Sequence, residues 1–405
     1  MAPTRQNGVY RSNRVALAVF TSVIFLVQSS TLAAPGDDTQ SHDDVNRVDD
    51  DDDGNGDDKQ RMTSNVASSL YVRSDTDGTT IIAPRVRFRQ DFGRTGLDFT
   101  YTADVWTSAS VDIRTAASAS VSEDRHELGL AVDHEHDAWT FAAAYRFSTE
   151  HDYTAHGPSL SAAWEGLARN VRLEGRASLS SDQVGRAGDP EFLRPLRSVA
   201  LWFGYTQVLG RGTLLQLAGE QRTSAGYQAS PYRWVGLGGP VTCSGQTPLC
   251  VPEVVPTRRF RYAVAARARQ SFARWGSLGL DYRYYIDSWR LQSHTLGADL
   301  RFVPRASLLL ELGYRAYFQG AAWFYQSSYS VNPRGGFVTR DRELSPMSDH
   351  EIAALARWTH VFTRRRVELG VGLRLAGAVY DYNDFPGLSR VFAGEATLNL
   401  QLGTF

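Results

Sequence analysis

Two cysteines, Cys243 and Cys250, are the only thiols in the 405-residue chain, seven positions apart. Two thiols without a paired histidine make a poor zinc site, which takes four nitrogen or sulfur ligands. In an exported chain, two nearby cysteines most often pair as a disulfide. That bond would staple the tip of a long loop.

Nine histidines are present. His126, His134 and His136 gather around one strand and its turn, and His151 and His156 around another. None has HExxH or comparable ligand spacing, so they are expected in solvated turns or on a wet lumen wall. One acidic run has a sharper reading. Asp49, Asp51, Asp53, Gly54, Asn55 and Asp57 fall at positions 1, 3, 5, 6, 7 and 9 of an EF-hand-like loop. Position 12 is Gln60, where a bidentate glutamate belongs, and no flanking helices are evident. A solvated linker is the stronger reading of that run. Serines and histidines are otherwise scattered. No nucleophile, base and orienting group can be named together, so an enzyme is not expected, nor a metal or cofactor.

The chemistry that does recur is charge at alternate positions. Arg85, Arg87 and Arg89 lie on one strand, and Asp98 and Asp104 on the next. Arg172, Glu174 and Arg176 follow, then Arg261, Arg267, Arg269, Asp281, Arg283, Glu311 and Arg315, and later Glu351, Arg357, Glu368 and Arg374. As structure, these are cross-strand ion pairs inside a wet barrel. As function, they line a pore and bias its ion selectivity. Both readings stand together, with the structural role the better expectation for any single residue.

The elements that carry these charges are unusually long strands. Over residues 258–272, Phe260, Tyr262, Val264, Ala266, Ala268 and Phe272 share one face, and Arg261, Arg267 and Arg269 the other. A period of two is the signature of a pleated backbone. Strands of soluble proteins run about 5–6 residues. These run about 11–14, enough for a tilted strand to cross a bilayer. Turning their arginines to lipid would cost roughly 2–4 kcal/mol each near the midplane. The apolar face therefore meets lipid and the charged face a wet interior. A soluble β-sandwich of long strands is the weaker alternative.

Alternation also explains the bulk numbers. Net charge is −1 and hydrophobic residues are 42%, with a mean hydropathy of −0.32. That excludes a helical membrane bundle, and the charge points to no nucleic-acid partner. About sixteen strands are expected, at 66–73, 79–90, 96–106, 125–134, 138–149, 153–164, 170–181, 197–208, 213–224, 258–272, 277–288, 290–302, 307–319, 349–362, 367–379 and 391–405. Every second connection is short. Those between include the long stretches 107–124, 182–196, 225–257, 320–348 and 380–390. Short periplasmic turns alternating with longer outer loops describe an outer-membrane barrel. An even strand number puts both termini on the periplasmic side. Strand 290–302 is out of phase, with Leu291 on one face and Leu296, Leu300 and Phe302 on the other, which implies a bulge or a displaced boundary.

Residues 1–33 read as a secretory signal peptide. Arg5, Arg11 and Arg14 precede an apolar stretch too short to span, and small residues follow up to Ala33. Residues 34–64 are acidic and carry little to bury, which predicts a disordered linker. Residues 65–405 form the barrel. Its final Phe405 matches the C-terminal aromatic that outer-membrane barrels present to their assembly machinery, although Leu398, Leu400 and Leu402 are out of phase with it.

Two short stretches carry a resemblance. One is Thr-Ser-Ala-Ser-Val-Asp-Ile-Arg-Thr-Ala-Ala-Ser at 107–118, after Asp104. The other is Gly-Tyr-Gln-Ala-Ser-Pro-Tyr-Arg at 226–233, in the loop beyond Tyr-Thr-Gln-Val-Leu at 205–209. Together they resemble a family of Gram-negative outer-membrane barrels known only as a domain of unknown function. The resemblance implies compartment and architecture across 66–405, and no substrate or catalytic residue. Pro231, Tyr232 and Arg233 read as a turn at a strand exit, with Tyr232 at the interface belt. The aromatics Trp323, Phe324, Tyr325 and Tyr329 also read as belt, or as a partner contact.

The expectation is an all-β chain, a transmembrane antiparallel β-barrel of about sixteen strands in the outer membrane, its N-terminal linker periplasmic. Its partners would be outer-membrane lipid, the barrel-assembly machinery and small solutes passing through an arginine-rich lumen. Two alternatives are kept: a non-conducting surface or assembly barrel whose long outer loops bind a partner, and a hydrolase mounted on the wall.

Overall fold

A computed structural model describes residues 62–108, 121–239, 243 and 247–404. The signal peptide, nearly all of the acidic linker with its calcium-like run, most of the 107–118 stretch, and Phe405 lie outside the described residues.

The chain forms β1 (Met62–Asp75), β2 (Thr79–Phe92), β3 (Thr95–Ser108), β4 (Val121–His136), β5 (Trp139–Thr149), β6 (Tyr153–Gly166), β7 (Val171–Val184), β8 (Arg194–Gly210) and β9 (Thr213–Gly226). Two three-residue strands follow, β10 (Trp234–Gly236) and β11 (Cys250–Pro252). Then come β12 (Arg258–Ala273), β13 (Gly276–Asp287), β14 (Gln292–Arg305), β15 (Leu308–Gln319), β16 (Met347–Phe362), β17 (Val367–Tyr382) and β18 (Arg390–Thr404).

All but β10 and β11 join one closed antiparallel barrel of sixteen strands. β1 closes it against β18, with Leu70 opposite Leu398, and β9 meets β12, with Gly219 opposite Val264. Closure removes every free sheet edge. β10 and β11 pair separately inside the β9–β12 loop. Both ends of the barrel chain sit at the short-turn rim, where Asn65 faces Gly403.

The two faces sort as the alternation requires. On β15, Leu310, Leu312, Tyr314 and Phe318 are exposed on the outer wall, while Glu311 and Arg315 occupy the inward face and form ion pairs. On β18, Leu398, Leu400 and Leu402 are likewise exposed. In a soluble protein this continuous apolar wall would be unstable. In a bilayer it is the buried face. Aromatics ring the short-turn end of that wall, among them Trp139, Phe272, Trp275, Trp358 and Phe362.

The phase conflict in 290–302 is a boundary effect. β14 begins at Gln292, and Leu291 belongs to the preceding turn, buried beside Trp289. The register shift of this strand falls instead between Phe302 and Arg305.

Candidate pore and its loop cap

The inward face carries an interlocked set of ion pairs. Arg87 binds Asp98 at 2.5 Å. Arg89 binds Asp133 at 2.7 Å and Asp91 at 2.7 Å. Arg269 reaches past β13 to Asp299 at 2.6 Å and bonds the Ser277 hydroxyl at 3.1 Å. Asp299 also meets Arg301 at 3.3 Å, and Arg301 meets Glu311 at 2.5 Å. A second run crosses five strands. Arg315 on β15 binds Asp349 at 2.8 Å and Glu351 at 3.6 Å on β16. Glu351 accepts from Arg374 on β17, which meets Glu395 on β18 at 3.6 Å, and Glu395 meets Arg73 on β1 at 3.6 Å. Neighbouring inward side chains thus neutralise one another around the wall.

The remaining sequence candidates sit among these. Arg85 is exposed on β2, opposite Ser69 and Thr102. Arg267 stands directly opposite Asp281. Arg283 lies over the Tyr285 ring, 5.6 Å from its centre. Arg261 donates to the Ser224 hydroxyl at 2.9 Å and stands opposite another arginine, Arg222. Like charges placed opposite repel, and Asp287, opposite Arg261 on the β13 side, offsets part of that repulsion.

At the other end from the short turns, the loops fold over one another. A buried cluster draws Ala229 and Val255 from the β9–β12 loop, Trp289 and Leu291 from the β13–β14 turn, Phe324, Tyr325 and Leu344 from the β15–β16 loop, and Phe385 and Leu388 from the β17–β18 loop. A smaller cluster joins Val235 and Leu237 to Tyr329 and Val338. Backbone bridges tie the same two long loops, Leu237 to Tyr329 and Val254 to Val338. The expected disulfide is present: Cys243 and Cys250 are bonded, with Cα atoms 5.7 Å apart.

Charge runs through this cap as well. Glu253 accepts the Ser230 backbone N–H at 2.7 Å, two contacts from Arg233 at 3.1 Å, and the Thr339 hydroxyl. Arg233 also meets Asp341 at 3.2 Å. Burial pushes the Glu253 carboxyl up, and the Arg233 charge opposes that. Arg342 ties the β15–β16 loop to Asp77 of the β1–β2 turn at 2.8 Å. The Tyr232 hydroxyl donates to Asp152 of the β5–β6 turn and accepts from the Ala187 N–H of the β7–β8 loop.

Three expectations are corrected here. Pro231, Tyr232 and Arg233 do make a turn, Arg233 N–H to Ser230 carbonyl at 3.4 Å, but Tyr232 is buried in the cap and not at a lipid interface. Phe324, Tyr325 and Tyr329 are cap core, buried by the neighbouring loops, with only Trp323 exposed. His126, His156, His294 and His350 are not lumen residues. They lie on the outward face, each hydrogen-bonded to a tyrosine of that face. The Arg233–Glu253–Asp341 cluster had no signal in the sequence. Its members lie 20 and 108 positions apart in irregular loops, where no periodicity operates.

A family model described as "Protein of unknown function (DUF3570)" matches residues 196–383. That span runs from within β8 to just past the end of β17 and contains the two long loops of the cap. The 226–233 stretch falls within it. Among curated proteins none matches the chain. Solved structures similar to it include OprD of Pseudomonas aeruginosa, 9% identical, covering 85% of this chain and 96% of that one at a TM-score of 0.42. The outer membrane protein OpdK of the same organism is 10% identical, covering 85% and 99% at 0.42.

Proposed function

We propose that this chain is a passive outer-membrane channel for small solutes with a mixed-charge, arginine-rich lumen. The observation that carries the reading is the closed ring of sixteen strands, apolar outside and charged inside. Barrels of about that strand number leave an aqueous channel when nothing fills them. The conducting path would be lined by Arg85, Arg87, Arg89, Arg261, Arg267, Arg269, Asp281, Arg283, Glu311 and Arg315, and the loop cap would set access at the outer mouth. The reading calls for no catalytic group and no cofactor. The apolar stretch at residues 15–27 supports export; the exported chain would meet the barrel-assembly machinery, with the acidic linker in the periplasm.

One observation favours a second reading. The outer loops bury their own hydrophobic core, as a rigid platform for a partner would.

Single-channel recording of the refolded mature protein in a planar bilayer separates the two. The pore reading expects stepwise conductance, with a salt-gradient reversal potential that moves toward cation preference in Arg261→Gln/Arg267→Gln. A folded, heat-modifiable barrel with no conductance would sink the pore and leave loop binding.

A further inference from the structure

Four tyrosine–histidine pairs occupy equivalent places on the outer wall. The Tyr101 hydroxyl meets His126 Nδ1 at 2.8 Å, Tyr145 meets His156 at 2.7 Å, Tyr282 meets His294 at 2.8 Å, and Tyr314 meets His350 at 2.8 Å. Each tyrosine is the seventh residue of a strand rising from the short-turn rim, β3, β5, β13 or β15. Each histidine lies on the next strand, two places further out. His126 is opposite Ala103, His156 opposite Phe147, His294 opposite Tyr284 and His350 opposite Ala316. The pairs therefore share one level. They occupy β3–β6 and β13–β16, blocks separated by four strands on either side, so they face away from each other across the barrel.

On the histidine strands that level is a chemical boundary, while Val105 on β3 and Phe318 on β15 carry the exposed apolar face further out. Two residues inward on the same outer face stand Leu128, Pro158, Leu296 and Ile352; two residues outward stand Asp124, Thr154, Gln292 and Ser348. All four histidine strands turn from apolar to polar at the histidine. From Trp139 at the short-turn rim to the level of His156 is eight residues of strand, about 21 Å of height at the usual rise and tilt, near the roughly 25 Å apolar band of such barrels. In either tautomer each pair keeps one proton to donate outward, Nε2–H when the phenol donates to Nδ1, or the phenol O–H when Nδ1–H donates to it. Four such donors at the apolar edge call for an acceptor that belongs to the membrane.

We propose that these pairs bind the phosphate of outer-leaflet lipid headgroups, two sites on each side of the barrel. Lipid is favoured over free phosphate because the ligand must also cover Leu128, Leu296 and Ile352 immediately below. The inference rests on the membrane reading above, but not on conduction.

Native mass spectrometry of the full mature protein in detergent tests it, with phosphatidylglycerol and a diacylglycerol of the same chains as probes. The wild type should retain phosphatidylglycerol in preference. His126→Leu/His156→Leu/His294→Leu/His350→Leu should lose that preference by about fivefold per pair, the worth of one hydrogen bond, without losing diacylglycerol. His134→Leu, outward-facing at the other rim and bonded to Thr95 at 2.9 Å, should behave as wild type. If the fourfold variant does not fold, His126→Leu/His156→Leu should halve the phosphatidylglycerol retained. Equal retention of both lipids by the wild type, unchanged preference in the variants, or displacement by inorganic phosphate alone would overturn the proposal. A silent channel that still retains phosphatidylglycerol would fail the pore reading only.

Discussion

Glu150 shows how single charges in the cap are kept at a cost. It lies in the β5–β6 turn, and burial pushes its carboxyl up to about 7; Arg125 opposes the rise, while Asp152 and Asp104 add to it. A carboxyl raised in the folded state favours folding below its ordinary range, near 4.5. That contribution is lost as pH climbs through about 7. Glu150→Gln is neutral throughout, so it should raise the unfolding temperature at pH 8 and change it little at pH 5. A heat-modifiability gel run at both values reads the difference, and an equal shift at both would exclude ionisation as the cause. The residue scale is also where reading from sequence failed most plainly. Alternation puts the arginines on one face because a charge has only one tolerable side of such a wall. The histidines misled because a polar ring paired with a tyrosine can stay on the lipid side, and that pairing joins neighbouring strands rather than neighbouring residues.

Strands here are shaped by what they must leave room for. Gly279 on β13 lies on the inward face beneath the Arg269–Asp299 pair. A Cβ built there would stand 2.0 Å from Asp299 Oδ2 and 2.6 Å from Arg269 Nη2. Gly297 makes the same space for Asp281, at 2.1 Å from its Oδ1. Glycine inside a strand ordinarily costs about 0.5–1 kcal/mol against alanine, so alanine should help if the space were empty. We expect the opposite: Gly279→Ala should push aside the ends of Arg269 and Asp299 and break their ion pair, lowering stability by up to about 1 kcal/mol, read as a lower midpoint in heat-modifiability gels. Gly279→Ala/Asp299→Ser should recover part of the loss, because the two positions share one contact. If Gly279→Ala stabilises, the ion pair is not what the glycine serves. The strand ends tell a related story. Residues 290 and 291 looked like strand because Leu291 is apolar, yet the side chain of Asp287 accepts the N–H groups of Trp289 and Leu291 at 2.9 and 3.1 Å and makes a turn of them.

For the whole molecule, the barrel was legible because its rule is local: every second residue must suit lipid, and the rule repeats in each of sixteen strands. The cap obeys no such rule. Arg342 and Asp77 are 265 positions apart, and Phe324 is buried by Trp289 and Phe337 from separate connections, with ring centres 5.2 and 6.0 Å away. Apolar loop residues therefore read as interface belt when they are a second core, built outside the membrane on top of the first architecture. Two cores in one chain should fail separately. Phe324→Ala removes a ring that is 2% exposed, at a cost of about 3–5 kcal/mol confined to the cap, while the barrel keeps its ladders. The expected result is faster protease cleavage in 320–346 with an unchanged heat-modifiability midpoint. If the cap sets access to a pore, the same variant should raise its open probability in planar bilayers. Faster cleavage with unchanged gating would place the solute path elsewhere than beneath the cap, and no conductance in either protein would make the cap a binding platform, since nothing would remain for it to gate.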